Sequence, residues 1–200
     1  MRSYVTKVHM RNRTRILILP TLPSTDGNIS YPKDCPFTAM LPTVPKCRKK
    51  RVLSPDGHCR PFDIKANGYS RGETVTVAYI QKMKNAKRIY AICPHIKLNN
   101  DGYKEEGLTY PSMLMQSTLL MEFYDECGIP KSCLDYIEAH GTATKVGDFQ
   151  EVSALQNALC KNRETPLMIG SVKSNLGHAE SASGFGQIAK IKQVIFAFIY

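Results

Sequence analysis

Two stretches in the last third of the chain share one layout, and that layout constrains the fold more than any other feature. Leu134–Ala139 reads as a short strand, followed by a Gly/Thr loop over 140–147 and a helix-like segment, Asp148–Cys160. Leu167–Val172 repeats the pattern, with a Gly/Ser/Asn loop over 173–181 and then Ala182–Phe198. Strands that alternate with helices predict an α/β architecture with parallel strand pairs. In such a sheet the loops at the carboxyl ends of neighbouring strands line one crevice. Each loop here carries a histidine: His140 directly after the first strand, His178 in the loop after the second. If the strands are neighbours, both imidazoles face one cleft.

The remaining pattern is consistent with this architecture. Pro111 opens a helix that runs to about Cys127, where Gly128 and Pro130 supply the stop. Asp148 is placed as the N-cap of the following helix. Ala182–Phe198 is apolar nearly all round, which predicts a helix buried between layers. Upstream, Thr74–Ile80 alternates β-branched and apolar residues and predicts a strand. Ile89–Leu98 predicts another, interrupted near Pro94.

Residues 1–51 differ in kind. They hold six prolines within 1–50 (Pro20, Pro23, Pro32, Pro36, Pro42, Pro45) and end in the basic run Lys46–Arg51. With 11 Lys/Arg against 2 Asp/Glu they carry +9, whereas 52–200, with 16 against 15, carry +1. The overall charge of +10 is therefore local to this segment, and the rest has no basic stripe for nucleic acid. The segment is expected to be a poorly ordered or unrelated extension. A nucleic-acid-binding arm, the sharper alternative, predicts salt-dependent binding that vanishes when 1–51 are deleted. Seven cysteines, with no metal-ligand spacing, fit free thiols in a reducing, cytoplasmic setting. No apolar run reaches the length of a membrane span.

Neutral imidazoles that donate from one nitrogen can stabilise a developing enolate or oxyanion. A pair of them suits carbon–carbon chemistry at a thioester. Thr142 and Thr144, two residues apart, suit hydrogen bonding to an amide-bearing cofactor arm. Lys173 adds a charge that lowers a neighbouring thiol's pKa or orients a carboxylate.

Glu138-Ala139-His140-Gly141-Thr142-Ala143-Thr144 with Gly147-Asp148 resembles the EAHGTGTxxGD signature of β-ketoacyl synthases. Lys173-Ser174-Asn175-Leu176-Gly177-His178 resembles their KSNxGH signature, and Ala182-Ser183-Gly184 the ASG that follows. Leu53-Ser54-Pro55-Asp56-Gly57, Phe62-Asp63, Asn67-Gly68-Tyr69, Asp101-Gly102-Tyr103-Lys104-Glu105 and Tyr110-Pro111-Ser112 are similar to the ketosynthase domain of animal type I fatty acid synthases. Polyketide synthases share both signatures. The resemblance covers roughly 52–200. It implies a partial thiolase-like fold, a layered αβαβα sandwich, with 52–88 ending the N-terminal half and 89–200 forming a truncated C-terminal half. It implies decarboxylative Claisen condensation of acyl and malonyl thioesters on acyl carrier protein, in a synthase that is a homodimer when intact. His140 and His178 would hold the malonyl carbonyl, and Lys173 would support them electrostatically. Thr142 and Thr144 would face the phosphopantetheine arm, with no tightly bound cofactor.

Several positions depart from the signatures. Ala143 stands where glycine is usual, which strains the loop if that position needs φ > 0. Phe149, Ala179, Ser181 and Phe185 are smaller departures. None of the seven cysteines lies in a context like the family's DTACSSS nucleophile elbow. The chain is therefore expected to be a fragment without condensation activity of its own, because an acyl-enzyme needs a thiolate. The alternatives are a polyketide synthase segment and a non-catalytic truncated partner of an intact subunit.

Overall fold

The computed structural model describes residues 2–9, 15–18, 21–22, 52–107 and 110–199. Its six strands are β1 (Arg2–His9), β2 (Arg15–Ile18), β3 (Thr21–Leu22), β4 (Ile92–Asn100), β5 (Tyr136–Glu138) and β6 (Met168–Gly170). Among the described residues, the α-helices are α1 (Met113–Cys127), α2 (Lys145–Leu159), α3 (Lys173–Leu176) and α4 (Ser183–Ile199). Short 3-10 turns lie at Met83–Asn85, Lys131–Cys133 and Glu180–Ala182.

All six strands belong to one sheet. β5 and β6 are parallel neighbours, in the register Tyr136↔Met168, Ile137↔Ile169 and Glu138↔Gly170. β2 lies parallel on the other side of β5, with Ile18 opposite Glu138. β1 then pairs antiparallel with β2, β3 and β4. The parallel pair is the part of the sheet that serves the site, because it sets the ends of β5 and β6 at one edge.

Local chemistry accounts for α1. Ser112 accepts the Met115 N–H at its start, and Gly128 closes it at φ +61 with its N–H on the Tyr124 carbonyl. Its buried face (Leu119, Leu120, Phe123, Tyr124) packs with Leu134, Ile137 and Ala139 from the β5 region and with Leu155, Ala158 and Leu159 of α2. Each fully buried side chain of this size contributes roughly 1.5–3 kcal/mol.

Three expectations are corrected. Asp148 does not cap α2: Thr144 occupies the cap position, and Asp148 lies in the first turn, where its carboxylate accepts the Phe62 N–H at 2.9 Å. Thr74–Ile80 forms no strand, and Val75 and Val77 are 97% and 91% exposed. Its alternation describes a strand only when a second strand lies alongside, and among the described residues none does. Within 1–51, β1, β2 and β3 lie where the sequence pattern predicts no strand. Their β-branched and apolar residues, such as Val5, Thr6, Val8 and Ile16–Ile18, were outweighed in the sequence by the prolines and charge around them. The basic run Lys46–Arg51 lies outside the described residues. Among the described residues, no helix is long and apolar enough to cross a membrane.

Candidate active site

His140 and His178 meet where β5 and β6 end. Their ring centroids are 5.3 Å apart, with the rings nearly perpendicular at 85°. The loop after β5 is shaped by close backbone packing. Gly141 has φ +41, and a Cβ there would lie 2.8 Å from the Ser171 Cβ. Ala143 has φ +58, so the position where the family signature has glycine does use the left-handed region. Its carbonyl accepts the Gly68 N–H at 2.9 Å.

Two carboxylates hold the loops in place. Glu151, on α2, accepts the His140 and Gly141 N–H groups at 2.7 and 2.8 Å. Glu138, at the end of β5, accepts the Val172 N–H at 2.5 Å, the Tyr136 hydroxyl at 2.6 Å and the Lys190 ammonium at 2.7 Å. Glu138 therefore ties β5 to the start of α3, through Val172, and to α4. Ser171 adds a further link, donating to the His140 and Gly141 carbonyls at 3.2 and 3.1 Å.

Lys173 is 1% exposed, and its ammonium has no hydrogen-bond partner among the described residues. Burial pulls its pKa down, while the charges of Glu151, Glu138, Cys59 and Asp148 oppose that pull. Burial pushes the Glu151 carboxyl up, partly offset by the N–H groups it accepts. Asp148 is raised by burial too.

Burial, reinforced by the Lys173 charge and by His178, drives His140 well below the ordinary imidazole range. Burial, then Lys173 and Arg71, brings His178 down to about 3. Both rings are therefore neutral at physiological pH. The His178 Nδ1 accepts the Glu180 N–H at 3.2 Å, which leaves Nε2 to carry the ring's proton as a donor. Neutral donors enclosed in a low-dielectric site are suited to stabilising charge that develops on a carbonyl oxygen.

The structure brings together His140, His178 and Lys173. Thr142 and Thr144 lie on the same loop, with their hydroxyl oxygens 3.3 Å apart. Thr142 is buried and Thr144 half-buried. Sequence reasoning missed Glu138 and Glu151 as anchors of the loops. Glu151 carries a readable signal: it lies three residues after Asp148, so both acids fall on the helix face that also buries Ala154 and Leu155. Cys59, buried and pushed up by desolvation, lies near enough to feel the Lys173 charge. It went unnoticed because 114 residues separate it from that lysine.

Comparison with known proteins fits this geometry. The family profile of the β-ketoacyl synthase C-terminal domain matches residues 90–196. A fatty acid synthase from Anser anser anser is 48% identical over 143 residues, covering 72% of this chain and 41% of that protein. Compactin diketide synthase mlcB from Penicillium citrinum is 44% identical over 143 residues, covering 70% of this chain and 5% of that protein. Among solved structures, the ketosynthase from module 6 of the bacillaene synthase of Bacillus subtilis 168 superposes with a TM-score of 0.64 at 32% identity, covering 76% of this chain and 28% of that one. The chain thus spans less than half the length of each of these relatives.

Proposed function

Because this chain belongs to the β-ketoacyl synthase family, we propose that His140 and His178 are the decarboxylation pair of a fatty acid synthase ketosynthase, an acyltransferase that extends acyl chains on acyl carrier protein. The observation that carries this is the perpendicular approach of two neutral imidazoles, 5.3 Å between centroids, at the ends of adjacent parallel strands. A malonyl thioester carbonyl placed between them accepts from both rings. The bond from the α-carbon to the carboxylate breaks, carbon dioxide leaves, and the electron pair moves onto the thioester oxygen as an enolate held by the two donors. The enolate carbon then attacks an acyl thioester carbonyl; the new carbon–carbon bond forms as the thiolate that held the acyl group leaves, and the β-ketoacyl product stays on the carrier that brought the malonyl group. Burial, reinforced by the positive charge of Lys173, keeps both imidazoles unprotonated. Thr142 and Thr144 face the phosphopantetheine arm.

None of the chain's seven cysteines lies in a sequence context like the nucleophile elbow that carries the acyl group in the family. In isolation the chain is therefore a decarboxylating fragment, with 52–88 closing the first half of the domain and 89–200 forming part of the second. The fatty acid assignment draws support from the 48% identity to the goose synthase, against 44% for the fungal polyketide enzyme. A second reading, a non-catalytic partner that pairs with an intact, dimeric synthase, is favoured by the exposed segment 74–80.

The test is release of labelled carbon dioxide from carboxyl-labelled malonyl-CoA by the full chain. Slow release that falls at least tenfold in His140→Ala and in His178→Ala, with no β-ketoacyl product, is the expected result. Release unaffected by both substitutions, or no release above buffer, contradicts it.

A further inference from the structure

Glu180 has φ +41, a left-handed conformation that non-glycine residues seldom adopt. Three contacts hold it there. Its backbone N–H donates to the His178 Nδ1 at 3.2 Å. Its carboxylate accepts the Tyr69 hydroxyl at 3.0 Å and pairs with the Arg71 guanidinium at 3.5 Å.

The same short segment grips His178 itself. The His178 N–H donates to the Ser70 carbonyl at 2.8 Å, and the Gly72 N–H donates to the His178 carbonyl at 3.1 Å. The Tyr69 ring stands edge-on to the His178 imidazole, with centroids 4.9 Å apart and planes at 74°. There is no slack in this packing: a Cβ on Gly177 would lie 3.0 Å from the Ser70 carbonyl oxygen, and one on Gly72 would lie 2.1 Å from that of Leu176.

A neutral imidazole carries one proton, and the nitrogen that accepts a hydrogen bond is the bare one. We propose that Tyr69 and Glu180 are positioning residues for His178: the Tyr69 hydroxyl holds the Glu180 carboxylate, which keeps the Glu180 N–H on Nδ1 and so fixes His178 as the Nε2–H tautomer. That tautomer is the donor required by the function proposed above, on which this role in catalysis rests. Arg71 supports the latch by pairing with the same carboxylate oxygen, Oε1, that accepts from Tyr69.

The tautomer is measurable without substrate. The full chain is labelled with 15N-histidine, His178 is assigned with His178→Asn, and long-range 1H–15N spectra report which ring nitrogen carries the proton. The unsubstituted chain is expected to show a bare Nδ1 and a protonated Nε2. Tyr69→Phe is expected to move both nitrogens towards averaged shifts as the two tautomers mix. Glu180→Gln, which keeps an oxygen to accept from Tyr69, is expected to keep the original pattern. If Tyr69→Phe does not fold, Glu180→Ala removes the same contact from the other partner and is read in the same way. A protonated Nδ1 in the unsubstituted chain overturns the proposal, and so does an unchanged pattern in a folded Tyr69→Phe or Glu180→Ala. The expected tautomers without histidine-dependent carbon dioxide release support the latch while refuting the proposed function.

Discussion

Replacing Glu138 with alanine tests how the two histidine loops are held in register. The carboxylate is fully buried and accepts from three donors: the Val172 N–H at 2.5 Å, the Tyr136 hydroxyl at 2.6 Å and the Lys190 ammonium at 2.7 Å. Alanine leaves all three without that partner. Removing one member of a buried ion pair costs about 3–5 kcal/mol, because the other charge is left uncompensated. The Lys190 side chain is 22% exposed and regains some hydration, which sets the pair at the lower end of that range. The stranded Val172 N–H adds about 1–3 kcal/mol. The expected loss is therefore about 4–6 kcal/mol, a large fraction of the ~5–15 kcal/mol stability of an ordinary domain. Urea unfolding followed by tyrosine fluorescence reads it directly, since the chain has no tryptophan. Adding Lys190→Met removes the stranded charge and should recover more than half of the loss. A Glu138→Ala chain within about 1 kcal/mol of the original, or a double variant no better than the single one, would refute the role given to Glu138.

The other predictions concern backbone strain, close approach and pH. Ala143 is buried at φ +58, so Ala143→Val forces a β-branched side chain into the left-handed region and should cost about 2 kcal/mol or more in urea unfolding; a change below about 0.5 kcal/mol would contradict the strain argument. Gly72→Ala should lower the midpoint more than Gly57→Ala, because a Cβ on Gly72 runs into the Leu176 carbonyl oxygen, whereas one on Gly57 has open space and meets only the strain of φ +74. Equal effects would show that the clash at Gly72 costs no more than that backbone strain. His178 is depressed to about 3, so between its ordinary 6.5 and 3 the unfolded chain binds a proton that the folded chain refuses. Stability therefore falls as the solution is acidified through that window, by a term on the order of 5 kcal/mol from this residue. His140 acts in the same direction, while the raised carboxyls of Glu151 and Asp148 act oppositely. Urea midpoints at pH 7 and pH 4.5 should therefore differ less in His178→Asn than in the original chain, and an equal difference would count against a neutral buried His178.

The parts of the fold that were legible in the sequence are those made by neighbours in the chain. α1, α2, β5 and β6 lie within a few residues of their expected places because caps, glycine stops and apolar runs act over one or two turns. The convergence of His140 and His178 follows from the same local grammar, given that the two strands are parallel neighbours. What escaped depends on distance along the chain. Thr74–Ile80 has the composition of a strand, but a strand needs a partner, and local alternation carries no information about one. Conversely, β1 and β2 gain their order from pairing with β4 and β5, which lie over a hundred residues away for β5. The Tyr69–Glu180 contact spans 111 residues, and nothing at either end marks it. Glu138 was visible as part of a motif, yet its role as a buried acceptor shared by β5, α4 and the start of α3 is a property of the assembled site.

The central claim is that two neutral imidazoles donate together to one thioester carbonyl. It is tested most directly by a crystal structure of the chain with a malonyl thioester analogue whose carboxylate cannot leave. The carbonyl oxygen is predicted to lie within about 2.7–3.2 Å of a ring nitrogen of both His140 and His178, with its carrier arm running past Thr142 and Thr144. An analogue bound elsewhere, or with its carbonyl oxygen in contact with neither ring, would contradict the account.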